Sequence, residues 1–315
     1  TWTSMDGVVS TARSSHNTNS VERTGANGEG SGLNNYSKSA SDAFTVNPPV
    51  FTKQLFNTNQ TETSGTNVTI GERVTYAIIV SLPEGTTPDA TIIDQLPLGL
   101  RYSGFQIVTT AAGSVNYLGT QLLANDFNGT ISGGVPSVTG GVNDGDDVTF
   151  TFGQINVVND NNGSNNAFLI LVDAIVTNDA SNTGAVGSQK TLSNIATIDF
   201  ATDGQAAQSS NTVNATVVEP KLTIAKEFGP TSTVNVDLAD SGDRVTINLT
   251  VSNATGTSTA YDVIIQDTLT AANYDLSSVN LGAAGTQYPA NFAASFNSST
   301  GVLQYSGGTI AAGAT

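Results

Sequence analysis

The sequence contains no cysteine and only one histidine. The absence of cysteine excludes disulfide bonds, thiolate nucleophiles and cysteine-based metal sites. One histidine cannot serve a Ser-His-Asp triad and a histidine-based metal site together, and no nucleophile motif or Gly-rich phosphate loop is present. No apolar run approaches the roughly 20 residues that a membrane-spanning helix needs. These absences predict a segment that is neither inserted in a membrane nor an enzyme of a familiar class.

Charged residues are also scarce. They make up 11% of the 315 residues, and 26 acidic against 10 basic side chains give a formal net charge of −16. Such an acidic surface repels phosphate backbones and anionic lipid headgroups, so we expect no nucleic-acid or membrane-surface partner.

Apolar residues follow the two-residue period of β-strands. Val74–Val80 and Val245–Val251 are β-branched runs bounded by turn residues, and no segment carries a helical stripe with caps. Asn, Asp, Gly and Pro clusters separate the runs. The pattern predicts an all-β chain, and short strands at this spacing are typical of an immunoglobulin-like β-sandwich.

The sequence also repeats itself. A lysine is followed at the same spacing by an aspartate in two places, as Lys53 with Asp94 and as Lys226 with Asp267, since 94 − 53 = 267 − 226 = 41. The second copy is displaced from the first by 226 − 53 = 267 − 94 = 173. A Gly-(Glu/Asp)-Arg-Val-Thr motif lies between the lysine and the aspartate in each copy. This predicts tandem β-sandwich repeats.

The repeat suggests three domain assignments. Residues 1–47 are interpreted as the C-terminal part of a preceding repeat, 48–219 as a complete repeat, and 220–315 as the N-terminal part of a following repeat. Adjacent repeats of a longer protein, or neighbouring copies arranged head-to-tail, would complete the outer two.

Three polar residues of the complete repeat stand in phase with apolar neighbours. Lys53, Asp94 and Asn194 all take positions that should point into the core, and Lys226 and Asp267 do so in the next repeat. One interpretation is a buried ion pair with a hydrogen-bonded Asn, or a strand register displaced by one residue. The other is an intramolecular isopeptide bond, because burial lowers the pKa of a lysine and raises that of an aspartate, leaving a neutral nucleophile and a neutral acid.

The motifs resemble a known family. They are a lysine on the first strand, Gly-(Glu/Asp)-Arg-Val-Thr, Ile-Ile-Asp-Gln-Leu-Pro-Leu-Gly-Leu and Leu-Ser-Asn-Ile-Ala-Thr-Ile. Together they resemble the conserved-repeat domains of large bacterial surface proteins, and equally the isopeptide-forming domain of fimbrial and adhesin proteins. The resemblance implies Lys53 as nucleophile, Asn194 as acceptor and Asp94 as proton shuttle. Lys226 and Asp267 would be the equivalents in the next repeat, with the Asn partner outside the chain. Lys190 is a weaker competitor for the nucleophile.

Two Asn-rich loops carry carboxylates that could ligate Ca²⁺, with Asp144, Asp146 and Asp160 as candidates, although neither loop has calcium-loop spacing. No cofactor is otherwise expected. A ligand-binding adhesin module for glycan or protein, stabilised by Ca²⁺, is the alternative function, but the aromatic residues that could form its platform, Tyr117, Phe127 and Tyr288, are scattered. The sequence therefore favours a structural repeat of an extracellular bacterial surface protein or filament, non-enzymatic apart from single-turnover self-cross-linking.

Overall fold

The fold is described from a computed structural model for residues 41–43, 48–60, 63, 65–200, 206–229 and 240–315. The chain divides into two compact units, 1–47 and 48–315. The first unit, which includes the predicted tail of a preceding repeat, lies almost wholly outside the described residues. The second unit contains two groups of strands, named below the N-terminal sandwich and the C-terminal sheets.

The first sheet of the N-terminal sandwich contains four antiparallel strands. Their order is β1 (Val50–Thr58), β3 (Arg73–Ser81), β11 (Ala167–Val176) and β6 (Leu100–Val108). Lys53 lies opposite Ile78 in the β1–β3 ladder. Residues 51, 53 and 55 of β1 are buried and their neighbours are more exposed, as expected for a strand with one face on the core.

The second sheet faces the first. Its order is β2 (Asn67–Val68), β14 (Val213–Val217), β12 (Thr191–Phe200), β5 (Ala90–Gln95), β9 (Val148–Thr151) and β8 (Ser137–Gly140), and β13 (Gln208–Ser209) also pairs with β12. A small third sheet contains β4 (Gly85–Pro88), β10 (Gln154–Val157) and β7 (Gly129–Ile131). The pair β14–β2 is parallel, whereas the other strand pairs are antiparallel.

One hydrophobic core joins the two large sheets. Tyr76 and Phe168 of the first sheet are fully buried with Ile92, Phe150 and Leu192 of the second. Because side chains from both sheets share this cluster, the sheets pack face to face as a β-sandwich. Truncating one of the buried aromatic side chains to alanine would cost roughly 3–5 kcal/mol.

Strand β11 is apolar on both faces. Its outward residues Leu169 and Leu171 form a second cluster with Val108 and with Leu123 of the segment between β6 and β7. That segment folds back over the outer face of the sheet and so explains why β11 is almost continuously apolar.

The C-terminal sheets contain five strands. β15 (Leu222–Phe228) pairs with β16 (Ile247–Asn253), while β17 (Ala260–Thr268), β19 (Val302–Ile310) and β18 (Ala293–Asn297) form a separate sheet in the order β17–β19–β18. The only helices in the described ranges are 3₁₀ turns, at Ala112–Ser114, Gly163–Asn165 and Leu276–Ser278, and none could span a membrane. The all-β fold class expected from the sequence is confirmed.

Candidate functional site

The candidate site lies inside the core of the N-terminal sandwich, where the two sheets meet. Lys53 extends from β1 of the first sheet, and its Nζ contacts Oδ1 of Asp94, which extends from β5 of the second sheet. Both side chains are 0% exposed. The contact therefore joins two ionisable groups across the core with no access to bulk water.

Asn194 lies beside this pair on β12, the neighbour of β5. Asp94 is opposite Ala196, so Asn194 is its diagonal neighbour on the same face of the sheet. Asn194 is fully buried, and neither its Nδ2 nor its Oδ1 finds a hydrogen-bond partner among the described residues. An unsatisfied buried polar group costs about 1–3 kcal/mol, so the Asn194 side chain destabilises the folded state at this position.

Burial controls the protonation of both ionisable groups. It lowers the pKa of Lys53 below the usual 10.5, although the nearby Asp94 carboxylate acts against this shift. Burial also raises the pKa of Asp94 above the usual 3.8, against the opposing effects of Lys53 and of the Asn194 amide. The amide thus lies close enough to Asp94 to affect its pKa, although no hydrogen bond of good geometry joins the two. Both shifts favour a neutral amine facing a neutral carboxylic acid.

Two further residues hold Lys53 in place, and sequence reasoning missed both. The Asn211 side chain accepts a hydrogen bond from the Lys53 main-chain N–H at 3.0 Å and donates one to its carbonyl at 2.8 Å. The Tyr76 ring lies 5.1 Å from the Lys53 Nζ. Its hydroxyl is buried without a hydrogen-bond partner in the described part of the chain, and burial, with a smaller effect of Asp94, raises its pKa. The burial of Tyr76 could have been predicted from the sequence, since Tyr76 shares the inward phase of Val74 and Ile78 in the two-residue period of β3.

The arrangement can perform one kind of chemistry. A neutral amine and a carboxamide are placed around a buried carboxylic acid that can exchange protons with both. This is the set of groups needed to convert an amine and an amide into a new amide with release of ammonia. Because the core fixes the groups, proximity supplies much of what a catalyst would otherwise provide.

The equivalent pair in the C-terminal sheets is not buried. Lys226 contacts Asp267 at 2.7 Å, but their side chains are 46% and 12% exposed. Lys226 thus shares the phase of Lys53 but not its burial. The physical reason is that no strand in the described ranges covers the face of β15 that carries it.

Lys190, the weaker competitor, lies just before β12 in a non-strand segment and is partly exposed. Its main-chain N–H donates to the carbonyl of Thr183 at 2.7 Å, and its charge lowers the pKa of nearby Asp179 behind larger effects of Ser181. No contact among the described residues places it near Asn194.

The candidate calcium ligands accept hydrogen bonds from protein groups, some in their own loops and some in other segments. Asp144 accepts from the Gly99 N–H and the Thr177 hydroxyl, and Asp146 accepts from the Asn143 main chain and side chain. Asp160 accepts from side-chain amides of Asn128 and Asn165, which lower its pKa. The described ranges contain no group of three or more His, Cys, Asp or Glu side chains that could hold a metal ion.

The scattered aromatic residues do not form a platform. Phe127 packs against Phe168 with ring centroids 5.4 Å apart, and Tyr288 packs against Tyr305 at 5.0 Å. The Tyr117 hydroxyl donates to the Gly65 carbonyl. Each of the three is thus engaged in a separate structural contact.

No family model and no curated protein matches this chain. Among solved structures, the major pilin subunit BcpA of Bacillus cereus is 14% identical, with a TM-score of 0.31 and coverage of 68% of this chain and 61% of the pilin. The T6 backbone pilin of serotype M6 Streptococcus pyogenes is 15% identical, with a TM-score of 0.31 and coverage of 82% and 52%. The N-terminal domain of the Streptococcus gordonii adhesin Sgo0707 is 14% identical, with a TM-score of 0.31 and coverage of 55% and 33%.

The chain is thus similar to bacterial pilin and adhesin structures, the classes of protein that its sequence motifs resemble. It spans less than two thirds of the length of each of these three.

Proposed function

We propose that this chain is a structural segment of a bacterial cell-surface stalk, fibre or adhesin, and that an isopeptide bond between Lys53 and Asn194 closes its N-terminal sandwich. The observation that carries the proposal is the meeting of three buried polar side chains from two facing sheets, with the amide of Asn194 unpaired in the described structure. The protein acts outside the cell and associates with adjacent repeats or neighbouring copies head-to-tail. Its only reaction is a single-turnover cross-linking of itself.

Burial supports the cross-link over a permanent ion pair. Two charges removed from water seldom stabilise a core more than apolar residues of similar size would. An ion pair would also leave the amide of Asn194 and Oδ2 of Asp94 without partners. In the cross-linked chain the ionisable amine of Lys53 no longer exists, and the new amide between Lys53 and Asn194 lies beside the carboxyl group of Asp94.

The bond forms without a change of oxidation state. The lone pair of the neutral Lys53 Nζ attacks the Cγ of Asn194, while the Asp94 carboxyl group donates its proton toward the amide. The Lys53 amine loses one proton, which returns through Asp94, and the Cγ–Nδ2 bond of Asn194 breaks. One molecule of ammonia leaves, and one N–C amide bond joins β1 to β12.

Intact mass of the full chain tests the proposal. We expect the mass to be lower than the sequence mass by one ammonia, and digestion to yield a branched peptide that joins Lys53 to Asn194. Lys53→Ala should have the full sequence mass. Lys190→Ala, a lysine that lacks contact with the site, is the matched control and should still lose the ammonia.

Digestion is needed as well as mass, because an Asn-Gly pair such as that at Asn128 could lose ammonia by forming a succinimide. That loss would persist in Lys53→Ala and would give no branched peptide. A wild-type chain with its full sequence mass would overturn the proposal.

A further inference from the structure

The chain that returns along β12 as β13 and β14 contains one extra residue. Ser209 lies opposite Thr197, whereas Val213 lies opposite Asn194, and 213 − 209 = 4 while 197 − 194 = 3. Burial shows the same change of phase, because Ser210 and Val213 are both buried although an odd number of positions separates them. Such a β-bulge bends the strand and turns a side chain in a new direction.

Ser210, in this bulge, binds the backbone of β12 beside the reacting groups. Its main-chain N–H donates to the Ala196 carbonyl at 2.8 Å, and its hydroxyl accepts from the Ala196 N–H at 3.0 Å. The same hydroxyl donates to the Asn211 carbonyl at 2.8 Å. Ala196 lies opposite Asp94 and two positions after Asn194. Ser210 therefore fixes the part of β12 that carries the proposed acceptor.

Asn211, the next residue, binds the backbone of β1 at the proposed nucleophile. Among the described strands β1 pairs only with β3, so its other edge has no strand neighbour. The Asn211 carboxamide takes the place of such a neighbour, since its two hydrogen bonds satisfy both the N–H and the carbonyl of Lys53. Two consecutive residues thus hold one strand from each of the facing sheets, next to the two side chains that the cross-link would join.

We propose that Ser210 and Asn211 form a positioning clip, which sets the separation of Lys53 and Asn194 and thereby controls how fast they cross-link. This inference rests on the proposed function. The clip touches none of the reacting atoms and acts through the backbones of β1 and β12. Its effect on rate follows from alignment, because a misplacement of about 1 Å can slow a reaction between fixed groups roughly 10²-fold.

The place of the clip in the chain also sets when the bond forms. Both clip residues follow Lys53, Asp94 and Asn194, so a chain folded only as far as β12 would contain every reacting group but not the clip. The bond therefore forms slowly until β13 and β14 have docked. The reaction itself is unchanged, since the Nζ–Cγ bond forms, the Cγ–Nδ2 bond breaks and one ammonia leaves.

Refolding of the full chain tests the clip. Chains isolated from inclusion bodies in urea, and confirmed by intact mass to be uncross-linked, are diluted to start folding. Circular dichroism then follows folding, while intact mass and peptide mapping follow the loss of ammonia. Asn211→Ala should fold at the wild-type rate but cross-link more slowly by roughly tenfold or more, and reach the same end point. Ser210→Ala, which removes the acceptor for the Ala196 N–H, should also slow the cross-linking.

Two control variants separate positioning from stability. Asn214→Ala removes an exposed amide from the neighbouring strand β14 and should cross-link at the wild-type rate. Leu123→Ala leaves a cavity in the cluster on the outer face of the first sheet. It should melt at a lower temperature than wild type and still cross-link at the wild-type rate.

The outcomes distinguish this inference from the proposed function. Wild-type rates of cross-linking in both Asn211→Ala and Ser210→Ala would overturn the clip and leave the cross-link intact. Equal slowing in Asn211→Ala and Leu123→Ala would overturn it as well, because lost stability alone would then explain the effect. A wild-type chain that folds and keeps its full sequence mass would overturn the proposed cross-link, and the clip with it.

Discussion

If the proposed cross-link forms, replacing Asn194 with alanine should remove all the stabilisation that it gives the N-terminal sandwich. The substitution leaves Lys53 and Asp94 in contact and removes a buried amide that has no hydrogen-bond partner among the described residues. Little noncovalent stabilisation is therefore lost with the side chain. The change in stability should report the bond itself.

The magnitude follows from the length of chain that the bond closes. A link from residue 53 to residue 194 closes a loop of length 194 − 53 = 141 along the chain. Loop-closure entropy for that length gives about 5 kcal/mol at 25 °C. For a domain of this size, such a loss lowers the melting temperature by roughly 10–20 °C.

Differential scanning calorimetry of the full chain measures this shift, with intact mass recorded on the same samples. Lys190→Ala serves as the control and should stay within about 0.5 kcal/mol of wild type, as expected for a surface substitution. An Asn194→Ala variant that melts at the wild-type temperature would refute the reasoning. So would one that melts lower but still carries a branched peptide at Lys53.

Four other changes test the surroundings of the site. In Lys53→Ala, Asp94 stays protonated in the folded state above its usual pKa of 3.8 while the unfolded chain ionises, so the free energy of unfolding should fall as pH rises from that value. In Asp94→Ala, Lys53 stays neutral in the folded state below its usual pKa of 10.5 while the unfolded chain keeps the proton, so the free energy of unfolding should rise with pH. Urea titrations at several pH values measure both trends, and the same dependence of the unfolding free energy on pH in the two variants would contradict the reasoning. Tyr76→Phe should keep the cross-link and cost less than about 1 kcal/mol, since its hydroxyl has no partner in the described structure, and a full sequence mass would instead assign the hydroxyl a part in the reaction. Asn211→Ala should lower the free energy of unfolding by about 1–3 kcal/mol through loss of two hydrogen bonds to the Lys53 main chain, and an unchanged urea midpoint would count against that role.

Strand periodicity predicted much of this fold because the signal is local. Alternation in β1 placed Lys53 in phase with Phe51 and Leu55, and all three are buried. The same reasoning put Asp94 on the inward face of its strand. Phase along a strand follows from backbone geometry alone, so it needs no knowledge of the partner strands.

The features that the sequence did not predict depend on distant partners. Asn211 reaches Lys53 across 211 − 53 = 158 positions, and a single amide in a polar loop carries no local mark of such a role. Lys226 has the same phase as Lys53 but not its burial, because burial depends on covering strands and not on phase. The offset between the two predicted repeats is also not constant. It is 173 at the lysines and aspartates, 242 − 71 = 171 at the glycine of the Gly-(Glu/Asp)-Arg-Val-Thr motif, and 303 − 148 = 155 at Leu303, which takes the place of Val148.

The positions of Lys53 and Asn194 within their strands set how far the sandwich can lengthen under tension. Lys53 is near the start of β1, and Asn194 is in the first half of β12. Once the two residues are joined, a force that pulls on the chain passes through the bond and does not stretch the segment between them. At about 3.4 Å per residue, roughly 480 Å of contour length in each such repeat could not be extended. Only residues 48–52 and 195–219 could then extend, so a stalk made of these units would stretch by short, recoverable steps.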